Sequence, residues 1–361
     1  MKPSFLLWSA VLLCGTLSCA KPLPFELSPD GEHSDDDLVT VVFRITDATK
    51  ITGVSEDNER SVQRWAVIAF DSDGERSSRT ASFASEIPMN LHAGHEYTVC
   101  AVVNYPVNGV GAFNPDAVRT PADLSDKVAY LTDNQEDALI MYGSVTCRPE
   151  QTGADEPPVE KSIGVTRLVS RIDIKQLSVD FSASSLLDGK TLTLRHIYIT
   201  NAYRTSRYGS DYPYAELSAS RTAWYNTMGW HRGESADAAM DRLLGERDLN
   251  IDIASGQTYQ TAHSFYAFPN PTAKEDDSTD IEYWEKRSTR LVLACEIEGT
   301  LYYYPIRLPS MKRNTIYSAE NIVITGLGSL DEELLDIPPE SCLVDLSIGS
   351  GWNEGGETEL N

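Results

Sequence analysis

Apolar residues recur at every second position in short runs along this chain, and turn-forming residues separate the runs. That alternation predicts an antiparallel β protein. Residues 38–45 put Val39, Val41, Phe43 and Ile45 on one face, with Thr40 and Arg44 on the other. A second apolar run at 65–70 ends in Asp71-Ser72-Asp73-Gly74, a turn whose glycine can take a positive φ. Comparable runs occupy 96–104, 168–174, 192–200, 290–297, 302–307 and 321–325. The last, 342–348, aligns Val344, Leu346 and Ile348.

Helical signals are few. Thr120-Pro121-Ala122-Asp123 combines an N-cap hydroxyl, a proline at the first helical position and a carboxylate at the third. Leu124, Val128 and Leu131 follow at helical spacing. A second short helix is expected over 236–244, capped by Ser235 and stopped by Gly245. Both read as decorations on a sheet protein.

The start of the chain has its own pattern. Lys2, an apolar run at 5–13 and the small residues of Gly15-Thr16-Leu17-Ser18-Cys19-Ala20 form a secretory signal, too short to span a bilayer. Cys19 after a small residue reads as a bacterial lipobox, with residues 1–18 removed and the thiol acylated, as by palmitate. Thr16 stands where such a motif most often has leucine, and ordinary cleavage after Ala20 is the alternative. Residues 19–37 are acidic and contain proline, which suits a tether. Residues 148–161 are polar and proline-bearing, and serve either as an interdomain linker or as a long hairpin loop. The domain boundary is expected near Gly164, giving domains at 38–163 and 164–361.

Composition narrows the functional classes. A net charge of -24 argues against nucleic acid as a partner. A hydrophobic share of 41% is enough for packed cores. No later stretch reaches the roughly 18 apolar residues that a membrane helix needs. Cys100, Cys147, Cys295 and Cys342 form no CxxC pair. Disulfides Cys100–Cys147 and Cys295–Cys342 are open to them outside the cytoplasm, but Cys100 and Cys295 lie in strand-like runs where a thiol serves as a small core residue.

Catalytic chemistry finds no foothold. His92 and His95 surround Gly94, which reads as a turn rather than a metal site. There is no GxSxG elbow and no complete GxGxxG, and the acidic stretch at 274–280 lacks the glycine and final glutamate of an EF-hand loop. The expectation is a non-enzyme with no metal and no cofactor. Tyr302-Tyr303-Tyr304 and Tyr212-Pro213-Tyr214 offer stacking surfaces for a glycan, or else cover a half-buried sheet.

The order of features resembles the fimbrillin family of Bacteroidales, the structural and adhesive subunits of surface fimbriae. The resemblance runs through LVTVVFRIT (38–46), RWAVIAFDSDGE (64–75), LHAGHEYTVCAVVN (91–104), DNQEDALIMYG (133–143), Arg167-Leu168-Val169-Ser170-Arg171 and KRNTIYSAENIVITGLGS (312–329), followed by a closing strand and Trp352. It implies an all-β chain of two tandem transthyretin-like β-sandwich domains with a few short helices. It also implies an outer-membrane lipoprotein precursor, cut by a trypsin-like protease in the loop after the first strand. The displaced first strand would carry Val39, Val41, Phe43 and Ile45, and a neighbour's C-terminal strand, with Val344, Leu346 and Ile348 as its counterpart here, would fill the vacancy. The family's arginine at the cut is matched by Lys50, with Arg60 and Arg64 further on. The implied partners are other fimbrillin subunits, a host or bacterial surface ligand, and the outer membrane through the lipid. An uncleaved anchor subunit, or a monomeric surface lipoprotein binding glycan or host protein, is the alternative.

Overall fold

The computed structural model describes residues 37–47, 61–151, 153, 156–184, 186–209, 224–225, 243–272, 288–331 and 341–349. Strands are numbered in chain order. The first eight are β1 (Leu38–Asp47), β2 (Trp65–Phe70), β3 (Arg76–Ser82), β4 (Glu86–His92), β5 (Tyr97–Val103), β6 (Val128–Tyr130), β7 (Met141–Cys147) and β8 (Val159–Arg167). There follow β9 (Ser170–Val179), β10 (Thr191–Thr200), β11 (Ala202–Tyr203), β12 (Thr205–Arg207), β13 (Trp224–Tyr225) and β14 (Gly245–Glu246). The last six are β15 (Ile251–Ala254), β16 (Thr258–Ala267), β17 (Arg290–Ile297), β18 (Thr300–Arg307), β19 (Ile316–Ile324) and β20 (Cys342–Gly349).

The alternating runs became strands largely where the pattern places them. β2 and β17 match their sequence bounds, and β1 extends two residues past Ile45. At the β2–β3 turn, Asp71 Oδ1 accepts hydrogen bonds from the Asp73 and Glu75 amides (3.0 and 2.9 Å), and Gly74 takes φ 80°. The polar stretch at 148–158 falls between β7 and β8, which are neighbours in one sheet. Gly164 lies inside β8, and strand pairing changes over after Arg167.

Helix α1 (Pro121–Ser125) has the expected capping box: the Asp123 amide donates to Thr120 Oγ1 (3.1 Å) and the Thr120 amide to Asp123 Oδ2 (3.0 Å). It stops sooner than its spacing suggested. Val128 lies in β6, which pairs with β12, and Leu131 opens a 3-10 turn. Cross-strand pairing to a distant segment overrode local periodicity there. The helix expected at 236–244 lies outside the described residues, apart from its last two positions.

The first seven-stranded sheet has the order β3-β2-β5-β7-β8-β1-β4 and folds over on itself. β7 and β8 pair only at Met141–Arg167 and Tyr142–Thr166. The turn of the sheet is made where Gly143 meets Gly164: a Cβ on Gly143 would lie 2.0 Å from the Gly164 carbonyl oxygen. Inside this fold sits an apolar cluster that includes Val41, Phe43, Trp65, Val67, Ile87, Met89, Val99, Ile163 and Val165. The other face of β2 and β5 (Ala66, Ile68, Phe70, Cys100, Val102) belongs to a larger cluster, which continues through residues 105–140 into the C-terminal sheets. Those are a five-stranded sheet built on β14-β10-β17-β18, with β15 also on β10, and a four-stranded sheet β16-β9-β19-β20.

Gly143→Ala should cost about 1–3 kcal/mol, because the atom it would touch is backbone and cannot swing away. Urea denaturation of the variant against the parent chain measures this; an unchanged midpoint would contradict the close approach.

Candidate functional site: the first strand and its slot

β1 is held on both edges. It runs antiparallel to β4, from Leu38↔His92 to Arg44↔Glu86, and parallel to β8, from Val41↔Val159 to Asp47↔Val165. Its inward residues are sealed: Val39 is 2% exposed, and Val41 and Phe43 are 0% exposed, with Ile45 half-buried at the end of the row. The slot walls supply Ile87, Met89 and Leu91 from β4 and Ile163 and Val165 from β8. Val41 and Phe43 belong only to the smaller core, so β1 makes no part of the large cluster that joins the rest of the chain.

Neither wall was read from the sequence pattern. In β4 the inward row Ile87, Met89, Leu91 is interrupted by Pro88, which is tolerated because β4 ends the sheet order and its outer edge needs no ladder. In β8 Lys161 stands in the inward row between Val159 and Ile163 and breaks the apolar alternation. The signal available was the period-two row in Glu86–His92.

A polar clip crosses the outer face of the slot. Arg44 donates from Nε to Glu86 Oε1 (2.9 Å) and from Nη1 to Glu160 Oε2 (2.7 Å), so one guanidinium ties β1 to both neighbours. Thr40 Oγ1 donates to Asn90 Oδ1 (2.9 Å) on the same face. All three members of the ion triad are exposed by roughly half, so each pairing contributes about 0–1 kcal/mol. Sequence reading passed over Glu86 and Glu160.

Of the candidate cleavage residues, Lys50 and Arg60 lie outside the described residues. Arg64 is tied down. Its carbonyl accepts from the Asn104 amide (2.8 Å) and its guanidinium donates to the Tyr105 carbonyl (3.4 Å). Asn104, at φ 55°, clamps the same segment: its Oδ1 accepts from the Gln63 amide (2.9 Å), and its Nδ2 donates to the Ser61 and Leu139 carbonyls (2.7 and 3.0 Å). A protease needs an extended, unpaired backbone, and residues 61–64 offer none without being peeled off.

β20 is the edge strand of its sheet, antiparallel to β19. Its alternation is real but shallow. Cys342, Val344 and Leu346 pack half-buried on the rim of the large core, Leu343, Asp345 and Ser347 face outward, and Ile348 is 51% exposed. All four described cysteines are free thiols. Cys100 and Cys147 face opposite sides of the first sheet, one in each core, so their pairing is excluded by geometry. Burial raises the pKa of Cys100, Cys147 and Cys295, and pushes the Cys342 thiol up to about 12.

The remaining candidates resolve as structure. His92 closes β4 and His95 follows Gly94 at φ 76°, a turn. No group of three or more His, Cys, Asp or Glu that could hold a metal occurs among the described residues. Tyr303 and Tyr304 are buried, and Tyr304 Oη donates to the Gly326 carbonyl (2.8 Å), so this run covers a sheet. Tyr212 and Tyr214 and the acidic run 274–280 lie outside the described residues.

Two measurements probe these arrangements. Asn104→Ala should lower stability by about 2–3 kcal/mol, from lost hydrogen bonds and an alanine held at positive φ, and should expose residues 61–63 to proteinase K, while the pairing of Trp65 on both edges keeps the bond after Arg64 protected. Urea melts and peptide mapping test both; a variant as stable and as resistant as the parent would refute the clamp. Native Cys342 should react with iodoacetamide at pH 8 at least about a hundredfold more slowly than a free thiol, because so little thiolate is present. Free-thiol reactivity in the folded chain would mean that β20 is not seated.

No family model matches the chain, and no curated relative matches it. Solved structures do. A candidate cell adhesion protein from Parabacteroides distasonis superposes with a TM-score of 0.61 at 16% identity, over 88% of this chain and 99% of that one. A fimbrilin from Porphyromonas gingivalis W83 gives 0.59 at 13% identity, over 86% and 96%. A candidate cell adhesion protein from Bacteroides eggerthii gives 0.57 at 13%, over 88% and 97%. Its structural relatives are thus fimbrillins and cell adhesion proteins of Bacteroidales, and theirs is the fold that this chain has.

Proposed function

We propose that this chain is a structural or adhesive subunit of a bacterial surface fimbria, made as an exported lipoprotein and assembled by exchange of β1 for the C-terminal strand of a neighbour. Cys19 carries the lipid that holds the precursor at the outer membrane. Residues 19–37 tether the body, which is organised as tandem transthyretin-like sandwiches with their boundary near Gly164. Proteolysis after Lys50 or Arg60 frees β1, while the Asn104 clamp keeps residues 61–64 attached to the body. Val344, Leu346 and Ile348 supply the donated row.

The observation that carries this reading is the placing of β1. It is central in hydrogen bonding, yet its apolar side chains belong only to the smaller core. Its loss leaves two unpaired edges and an apolar trough, the geometry that captures a strand of matching period. At ~1.5–3 kcal/mol per buried aliphatic side chain, three or four anchors give roughly 5–12 kcal/mol gross before ordering costs, enough for slow release. A slip of one residue would turn the row outward, which fixes the register. The similarity to a fimbrilin structure supports the same reading.

The test uses the purified full chain, a trypsin-like protease and a labelled synthetic peptide of the β1 sequence. After cleavage, mass spectrometry should find a body beginning at Ile51 or Ser61, and the peptide should join it in a complex that resists SDS. On cells, the chain should run in heat- and SDS-resistant ladders. A surface protein that still begins at Cys19, with β1 in place and no peptide uptake after protease treatment, would leave a monomeric surface lipoprotein instead.

A further inference from the structure

We infer that the slot beneath β1 selects a donor strand with a basic outward residue, and so accepts the C-terminal strand of a different subunit in preference to its own. This rests on the strand-exchange reading above. It starts from the rim of the slot. Glu86 and Glu160 stand on opposite walls, and Arg44 of β1 lies between them as their shared counter-charge. When β1 leaves, Arg44 leaves with it, and two carboxylates face the incoming strand.

This chain's own β20 cannot replace that charge. Its outward residues are Leu343, Asp345 and Ser347, and no Lys or Arg follows Arg313 anywhere in the sequence. Val344, Leu346 and Ile348 can take three consecutive seats of the row Val39, Val41, Phe43 and Ile45 in four ways, counting both directions. Three of these put Asp345 at the position of Val42 or of Arg44; the fourth puts it at the position of Thr40, opposite Asn90, and sets Ser347 and Gly349 at positions 42 and 44, which leaves both glutamates without a counter-charge. Position 42 is opposite Glu160 and position 44 is opposite Glu86. In three of the four seatings self-donation sets a carboxylate directly across from a carboxylate, and in none does it supply a positive charge. Like charges in cross-strand pairs destabilise a sheet, while an opposite charge there would restore the lost triad.

The apolar row of β20 does fit the slot, so the discrimination falls on the outer face alone. Its size is that of exposed charge pairs, a preference of several-fold, and it weakens as salt is added. The converse also holds. With Asp345 at its centre, β20 suits a slot whose rim is basic. A subunit of this kind occupies a junction between unlike subunits rather than the repeat of a homopolymer.

The experiment offers the protease-treated full chain an equimolar mixture of two labelled peptides, the sequence of residues 342–349 and the same sequence carrying Asp345→Arg. The β1 peptide is the positive control. The expected result is capture of the arginine peptide in at least about threefold excess at low salt, with the ratio falling toward one in the Glu86→Gln/Glu160→Gln variant and in high salt. Equal capture by the parent chain, or a preference that survives the double substitution, overturns the inference while strand exchange stands. Failure to capture even the β1 peptide overturns strand exchange, and this inference with it.

Discussion

A strand bonded on both edges cannot simply be removed from a sheet. Taking β1 out leaves the inner edges of β4 and β8 without partners and uncovers Ile87, Met89, Ile163 and Val165. Unpaired backbone groups and wet apolar side chains both raise the free energy, so the slot is stable only when some strand fills it. The parallel pairing with β8, the antiparallel pairing with β4 and the alternation of β1 itself all specify one occupant geometry, and none depends on which chain supplies it.

The two larger cores divide the labour. The large cluster runs from the outer face of β2 and β5 into both C-terminal sheets and contains no residue of β1. The small one is closed by Val41 and Phe43. An exchange in the first sheet therefore has no reason to disturb the C-terminal sheets. β20, in contrast, touches the large cluster only through half-buried residues at its rim, and among the described residues it bonds to one neighbour.

How much of this could be read from sequence depended on whether alternation was unbroken. β1, β2 and β17 keep their phase and were legible to within two residues. β19 was found only from residue 321. A bulge between Ala319 and Asn321 shifts its phase, so Tyr317 and Ala319 point inward ahead of it and Ile322 and Ile324 after it. A similar shift in β10 separates Leu192 and Leu194 from Ile197 and Ile199. The slot walls were hidden for chemical reasons, Pro88 in one and Lys161 in the other, and a family resemblance spoke of a displaced strand without naming what borders it. The cysteines were legible as core residues, but that Cys100 and Cys147 back onto different cores needed the sheet faces to be known. The ion triad joins residues 44, 86 and 160, and nothing local in the sequence connects them.

The parallel pairing of β1 with β8 bears on the order in which the chain can fold. Arg44 and Glu160 are 116 positions apart, and closing so long a loop is slow compared with forming the β2–β3 hairpin. During synthesis the first strand emerges early and its second neighbour late. Through that interval its apolar row has no finished seat, and the β2–β5 ladder can assemble without it. The second edge of β1 can thus be paired only once β8 has been made.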